Sequence, residues 1–238
     1  MKEWRQPTIT GIFGRPFAQE PPIRLHDRRH AGRLLGARLR SLELPRPVIL
    51  ALPRGGVPVG VEVARALAAP LDVIVALKLG IPGQPEHAAG AVAPGITLVI
   101  REIVNALAIS QRYLDVAAEE LRSEVEERMR LFRGDLRFPD LAPRTVIVVE
   151  DGLATGVTAA AAALSLRVLG AERVVVASPV ASRQAAAGIE GADEVVTLWV
   201  PEIFGTVSEC YEEFSPVTDA QVHALLRSHL PPPADGVT

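Results

Sequence analysis

Cysteine is all but missing: Cys210 is the single one in 238 residues. That excludes a disulfide within the chain and any metal site built on clustered thiolates. A dominant charge sign is missing too, because 25 Lys and Arg against 28 Asp and Glu leave a net charge of -3. Such a balance gives no long-range attraction for nucleic acid or for an anionic membrane, so any anion site must be local. No apolar run approaches the roughly 18 residues of a membrane span; the Ala-rich stretch near Ala159 is broken by Ser165 and Arg167. The start, Met1–Thr10, carries Trp4, Arg5 and Pro7 and lacks the apolar stretch of a secretory signal. The expectation is a cytoplasmic chain without nucleic-acid or membrane partners, and little cysteine fits a reducing compartment.

Hydrophobic residues, by contrast, make up 48% and charged ones 22%, ordinary for a chain with a real core. The length suits one α/β domain with a small appendage. The region up to Pro22 is rich in Pro and Gly and is expected to be extended. His26–Leu42 reads as a helix with Leu34, Leu35 and Leu39 on one side. Val48–Leu52 is a continuous apolar run, as in a parallel strand buried on both faces. Pro53-Arg54-Gly55-Gly56 interrupts it, and Val59–Leu67 continues as a helix with Pro58 in its first turn. Leu71–Leu77 is the next expected strand, completing a βαβ unit.

Gly80–Pro85, full of Gly and Pro, is expected to be a mobile loop. Ala91–Ile100 suits a hairpin around Pro94-Gly95. Ser110 caps a long helix to about Phe132, with an apolar stripe of Leu114, Ala117, Leu121, Val125, Met129 and Phe132. Glu124/Arg128 and Glu126/Arg130 support it as i,i+4 pairs. Thr145–Val149 is a β-branched strand. Thr158–Leu169 is a helix stopped at Gly170, Arg173–Ala177 a strand, Gln184–Ile189 a short helix and Val195–Val200 a strand. Phe204, Tyr211 and Phe214, with Trp199 close by, suggest a small cap on the main sheet, and Asp219–Leu230 a last helix. The fold class is therefore α/β, a doubly wound, mostly parallel sheet with helices on both faces plus a C-terminal cap. Residues 23–200 would form the core and 201–230 the cap.

The chemistry concentrates in Val146–Thr158, where a buried strand ends in the acids Glu150 and Asp151. Gly152, Leu153, Ala154, Thr155, Gly156, Val157 and Thr158 follow and lead into a helix. The helix N-terminus offers unpaired N–H groups and the positive end of its dipole, worth ~0.3–2 kcal/mol. Gly152 and Gly156 let the backbone curl round a ligand, and Thr155 and Thr158 add hydroxyls. The acids would repel phosphate but suit hydroxyls, so the segment asks for a sugar phosphate. It lacks the Gly-Lys-Ser/Thr ending of a Walker loop, and its acids precede its glycines, unlike a dinucleotide fingerprint. A bare acid pair capping the next helix is the plainer alternative.

This segment resembles the diphosphoribosyl-binding signature of type I phosphoribosyltransferases. The resemblance implies that Glu150 and Asp151 contact ribose hydroxyls and that the loop Gly152–Thr158 binds the 5-phosphate. Pro53, Arg54, Gly55 and Gly56 look like the family's pyrophosphate loop, where Arg54 suits bidentate diphosphate binding. Lys78 resembles the basic residue that some members place nearby. Gly80–His87 lies where members carry a mobile lid, with no catalytic role assigned to Glu86 or His87. A narrower resemblance, to a bacterial phosphoribosyltransferase-like branch, covers about His26 to Leu226. It rests on Asp27-Arg28-Arg29-His30-Ala31-Gly32, the Pro-Arg-Gly-Gly loop, Pro85-Glu86 with Gly90–Ala93, and Tyr211–Phe214.

The implied activity is transfer of a 5-phosphoribosyl group from phosphoribosyl diphosphate to a nitrogenous base with release of pyrophosphate. Mg2+ would be bound through the substrate, with Glu150 and Asp151 as possible ligands, and a homodimer is expected. The alternatives are a sensor of phosphoribosyl diphosphate or nucleotides, and a ribose-phosphate hydrolase or phosphorylase. Tyr211 and Phe214 could stack on the acceptor base or simply pack the cap. His26 and His30, four apart on the expected helix, have metal spacing without a third ligand. Cys210 reads as structural. The alternating charges of Glu119–Arg130 suit a solvated face or dimer surface.

Overall fold

A computed structural model describes residues 25–134, 138 and 140–228, together with the backbone of 8–10. The Pro-rich end at 231–233, the last residues of the expected Asp219–Leu230 helix and most of the segment up to Pro22 lie outside the described residues.

Strands β1 (Thr8–Thr10), β2 (Pro47–Ala51) and β3 (Leu71–Val73) belong to one sheet with β7 (Thr145–Val149), β8 (Arg173–Val180) and β9 (Glu194–Trp199). Their order is β1-β9-β8-β7-β2-β3, and every pairing is parallel. The β-branched content of these runs explains the burial on both faces: Val146 and Val148 enter one core cluster, Ile147 and Val149 the other. From β2 the chain steps one way to β3, and from β7 it steps the opposite way to β8. Right-handed crossovers therefore place α2 (Gly56–Leu67) on one face and α5 (Val157–Val168) on the other. Between β2 and β7 lies the point where the winding reverses, the place where open α/β sheets leave a crevice beyond their strand ends.

The α2 face also carries α1 (Arg28–Arg40), part of α4 (Gln111–Arg133) and α7 (Asp219–Arg227). Helices α1 and α2 pack closely because α1 has glycines at the contact. A Cβ on Gly32 would lie 2.7 Å from the Val59 carbonyl oxygen, and one on Gly36 would lie 2.6 Å from the Ala66 Cβ. The opposite face holds α5, whose buried Ala159–Ala163 run lets it lie near the sheet, and α6 (Arg183–Ala187).

A second, antiparallel sheet joins β4 (Leu77–Ile81), β5 (Gln84–Ala93) and β6 (Ile96–Val99). It corrects two expectations. The apolar run Leu71–Leu77 is not one strand: β3 ends at Val73, and β4 starts at Leu77 in the other sheet. Gly80–Pro85 is not a loop, since only Pro82 and Gly83 form the turn, with Gly83 at φ +75°. Gly80, Ile81 and Gln84 are paired, and Pro85, Glu86 and His87 lie in β5 where the register shifts. The hairpin at Pro94-Gly95 forms as expected, with Gly95 at φ +71°. A short helix, α3 (Arg101–Ala106), buries no residue and was not anticipated.

Ser110 does cap α4, accepting from the Tyr113 amide. Glu124 pairs with Arg128, whereas the Arg130 Nε reaches the Glu126 carbonyl rather than its carboxylate. The aromatic tail packs as a third cluster: Tyr211 and Cys210 with Leu25, Ala31 and Val180, flanked by Trp199, Phe204 and Phe214.

Candidate functional site

The crevice at the winding reversal is bordered by two turns. One follows β2 and runs from Leu52 to Gly56; the other follows β7 and runs from Glu150 to Gly156. The parallel register Ala51↔Val149 brings them side by side, and the Leu52 amide donates to the Val149 carbonyl at 2.9 Å. Contact between the turns is close. A Cβ on Gly56 would lie 2.4 Å from the Val149 carbonyl oxygen, and one on Gly55 would lie 2.0 Å from the Asp151 Oδ2. Only glycine allows Pro53–Gly56 to sit against the acid pair. The Pro53–Arg54 peptide is cis.

Glu150 and Asp151 have different surroundings. The Glu150 Oε1 accepts from the Thr158 hydroxyl at 3.1 Å, while its Oε2 is buried and has no hydrogen-bond partner. Burial, seconded by the neighbouring Asp151 charge, pushes the Glu150 carboxyl up to about 8, against the pull of the Thr158 hydroxyl. Asp151 is held by Arg28, whose Nε donates to Oδ2 at 2.7 Å. Burial pushes its carboxyl up too, opposed by the Arg28 hydrogen bond and charge. The Asp151 carbonyl accepts from the Tyr211 hydroxyl at 2.6 Å. Burial, together with Asp151, raises the Tyr211 phenol far above its ordinary value, so it remains a donor.

The loop after the acids curls into α5 through Gly156 at φ +73°, a left-handed position that suits glycine. Helix geometry leaves the amides of Val157, Thr158 and Ala159 without intrahelical carbonyls, at the positive end of the dipole. Ala154 and Thr155 are exposed at the rim. The Leu153 side chain is buried in the core, and its amide donates to the Val180 carbonyl at 2.9 Å. It therefore shapes the loop from behind. Gly152 is needed for another reason: a Cβ there would meet Val207 at 2.2 Å.

Other expected site residues sit differently from the sequence reading. Gly56 starts α2, and its amide donates to the Leu52 carbonyl at 3.0 Å, so the Arg54 and Gly55 amides are the donors left to that turn. The Arg54 guanidinium lies 3.6 Å from Asp219 at the start of α7. Lys78 does not end a strand of the main sheet. It lies in β4, and its ammonium donates to the Glu86 carbonyl at 2.8 Å. Phe214 has one face under the Arg28 guanidinium at 3.7 Å and lies against Tyr211 at 5.0 Å. A stacking base would have to displace Arg28 from that face. His26 precedes α1, so the two histidines do not share a helix; its Nδ1 lies 2.9 Å from Glu212.

The sequence pattern does not single out Arg28 as a site residue, although the Asp-Arg-x-x-Ala-Gly stretch contains it. The available signal was an arginine placed directly after a helix-capping Asp27.

Comparison with known proteins bears on the family and the fold. The family model described as phosphoribosyl transferase domain matches residues 24–212. Two curated Mycobacterium tuberculosis proteins, from strains CDC 1551 and H37Rv, are named provisionally as phosphoribosyl transferases. Each is 42% identical over 207 residues, covering 85% of this chain and 46% of the relative. The chain thus spans about half the length of those relatives. The crystal structure of TT1426 from Thermus thermophilus superposes with a TM-score of 0.71 at 41% identity, over 87% of this chain and 99% of that one.

Proposed function

Because this chain belongs to the phosphoribosyl transferase domain family, we propose that it transfers a 5-phosphoribosyl group from phosphoribosyl diphosphate to a nitrogenous base, releasing pyrophosphate. The observation that carries the reading is the contact of two anion-suited turns with an acid pair between them. The first turn of α5 takes the 5-phosphate through the amides of Val157, Thr158 and Ala159 and the hydroxyl of Thr155, while the Thr158 hydroxyl stays on Glu150. Asp151 accepts from a ribose hydroxyl, and Glu150 lies beside it. Arg54, released from Asp219, meets the diphosphate with the Arg54 and Gly55 amides. As the C1–O bond lengthens, these donors stabilise charge on the departing diphosphate while C1 gains oxocarbenium character. A base nitrogen then attacks C1. Residues 201–228, including the aromatic cluster, cover the crevice as a hood over the core.

A divalent cation fits this site. Among the described residues no three His, Cys, Asp or Glu side chains gather to hold an ion by themselves, but Mg2+ is commonly held by one or two carboxylates plus substrate phosphate oxygens. Glu150, with its unpartnered Oε2, and Asp151 are the residues that would assist. Bound there, the ion neutralises diphosphate charge.

The test is pyrophosphate release from phosphoribosyl diphosphate with a panel of purine and pyrimidine bases. Release that depends on one base supports transfer. Donor binding without release supports a sensor, and release without any base a hydrolase. Asp151→Asn should weaken donor binding tenfold or more by calorimetry, about the value of a hydrogen bond to a charged group. Unchanged affinity would contradict the ribose contact.

A further inference from the structure

Arg28 is the charged group at the crevice that the transfer chemistry leaves unused, and its restraint is unusual for an arginine. The side chain is only 11% exposed. Three contacts of different kinds hold it: Nε donates to Asp151 Oδ2 at 2.7 Å, Nη1 donates to the Ser215 carbonyl at 2.8 Å, and the guanidinium lies 3.7 Å over the Phe214 ring. The backbone beneath is also fixed. The Asp27 Oδ1 caps α1 by accepting from the His30 amide at 2.6 Å. Glycines 32 and 36 then press α1 onto α2, the helix that grows out of the diphosphate turn.

On the other side, Oδ2 of Asp151 abuts Gly55, where a Cβ would lie 2.0 Å away. Oδ2 is thus enclosed between Arg28 and the backbone of the Pro53–Gly56 turn, whereas Oδ1, 3.1 Å from the same Cβ position, lies farther from Gly55. The Tyr211 hydroxyl, on the Asp151 carbonyl at 2.6 Å, holds the main chain at the same residue.

We infer that Arg28 is a positioning residue for the sugar: it pins Oδ2 of Asp151 so that Oδ1 alone faces a ribose hydroxyl, which makes the site select a phosphorylated pentose over bare phosphate. This rests on the donor reading above. The role needs arginine, because a planar fork can hold a carboxylate, a carbonyl and an aromatic face at once, and a lysine ammonium cannot. Arg28 lies on the acid and not on the phosphate cradle of α5. Its loss therefore acts on sugar recognition and spares phosphate.

The experiment is calorimetric titration of the full chain with ribose 5-phosphate and, separately, with inorganic phosphate. It compares the unsubstituted chain with R28A, R28K, D151N and the R28A/D151N double variant. R28A and R28K should each lose about tenfold in affinity for ribose 5-phosphate, with phosphate affinity held within about twofold. In the D151N background R28A should change neither value, because Arg28 acts through Asp151. Equal or tighter binding of ribose 5-phosphate by R28A would overturn the inference, showing Arg28 to be a mere counter-ion that the sugar displaces. Parallel loss of both ligands would overturn it as well, since that is collapse of the crevice. If the unsubstituted chain prefers phosphate to ribose 5-phosphate, the donor reading itself fails, and the positioning role with it.

Discussion

The Glu150 carboxyl stands at about 8 in the folded chain against an ordinary value of 4.5. Between those two values the unfolded chain has released its proton and the folded chain still holds it. Folding stability should therefore fall as pH rises from about 4.5 towards 8. Glu150→Gln, which cannot ionise, should flatten that decline in denaturation midpoints measured across the range. The decline should not vanish, because Asp151 is shifted in the same direction. A slope equal in both proteins would show that Glu150 is not buried as described. Gly56 offers a second test at this scale. Its missing Cβ would fall 2.4 Å from a main-chain oxygen, which no rotamer can relieve. Gly56→Ala should cost about 1–3 kcal/mol in urea unfolding despite alanine's better helix propensity. Residues of this kind were partly legible. The acids, glycines and threonines stood out as a pattern, and the structure places both turns side by side. Arg28 did not stand out, because its partners Asp151, Phe214 and Ser215 are more than a hundred residues away along the chain.

Elements whose signals are local were read well: Thr145–Val149 from its β-branched run, and α4 from its Ser110 cap and apolar stripe. Elements defined by distant pairing were not. The alignment of Lys78 with Ala91 and of Leu79 with Gly90 is invisible in a stretch whose composition is that of a loop. Likewise, continuous hydrophobicity from Leu71 to Leu77 cannot reveal that the chain leaves one sheet for another. One tie between elements is easily tested. At the end of α4, Arg133 grips Asp72 of β3 through two 2.8 Å hydrogen bonds and lies 3.9 Å over the Phe138 ring. Arg133→Ala leaves a half-buried carboxylate unpaired and should cost roughly 3 kcal/mol. Thermal unfolding checks this: a loss below about 1 kcal/mol, the range of an exposed pair, would show the tie to be superficial.

For the whole molecule, ligand and fold should be linked. Phosphoribosyl diphosphate with Mg2+ at 100 times its dissociation constant should add about 2.7 kcal/mol, a rise in Tm of about 5–10 °C for a chain of this size. At the same concentration the Asp151→Asn variant, binding about tenfold more weakly, should gain only about 1.4 kcal/mol, roughly half the rise in Tm or less; equal shifts would mean the ligand binds elsewhere. The reversal of winding between β2 and β7 puts a crevice beyond these two strand ends whatever side chains line it. The pairing of Ala51 with Val149 has a further consequence. Neighbouring strands lie about 4.8 Å apart, so the span between the two anion-suited turns is ruled by the ladder of the sheet itself. Substitutions within either turn would tune how tightly a ligand is gripped, while the length of ligand that can bridge them stays fixed as long as the strands keep their alignment.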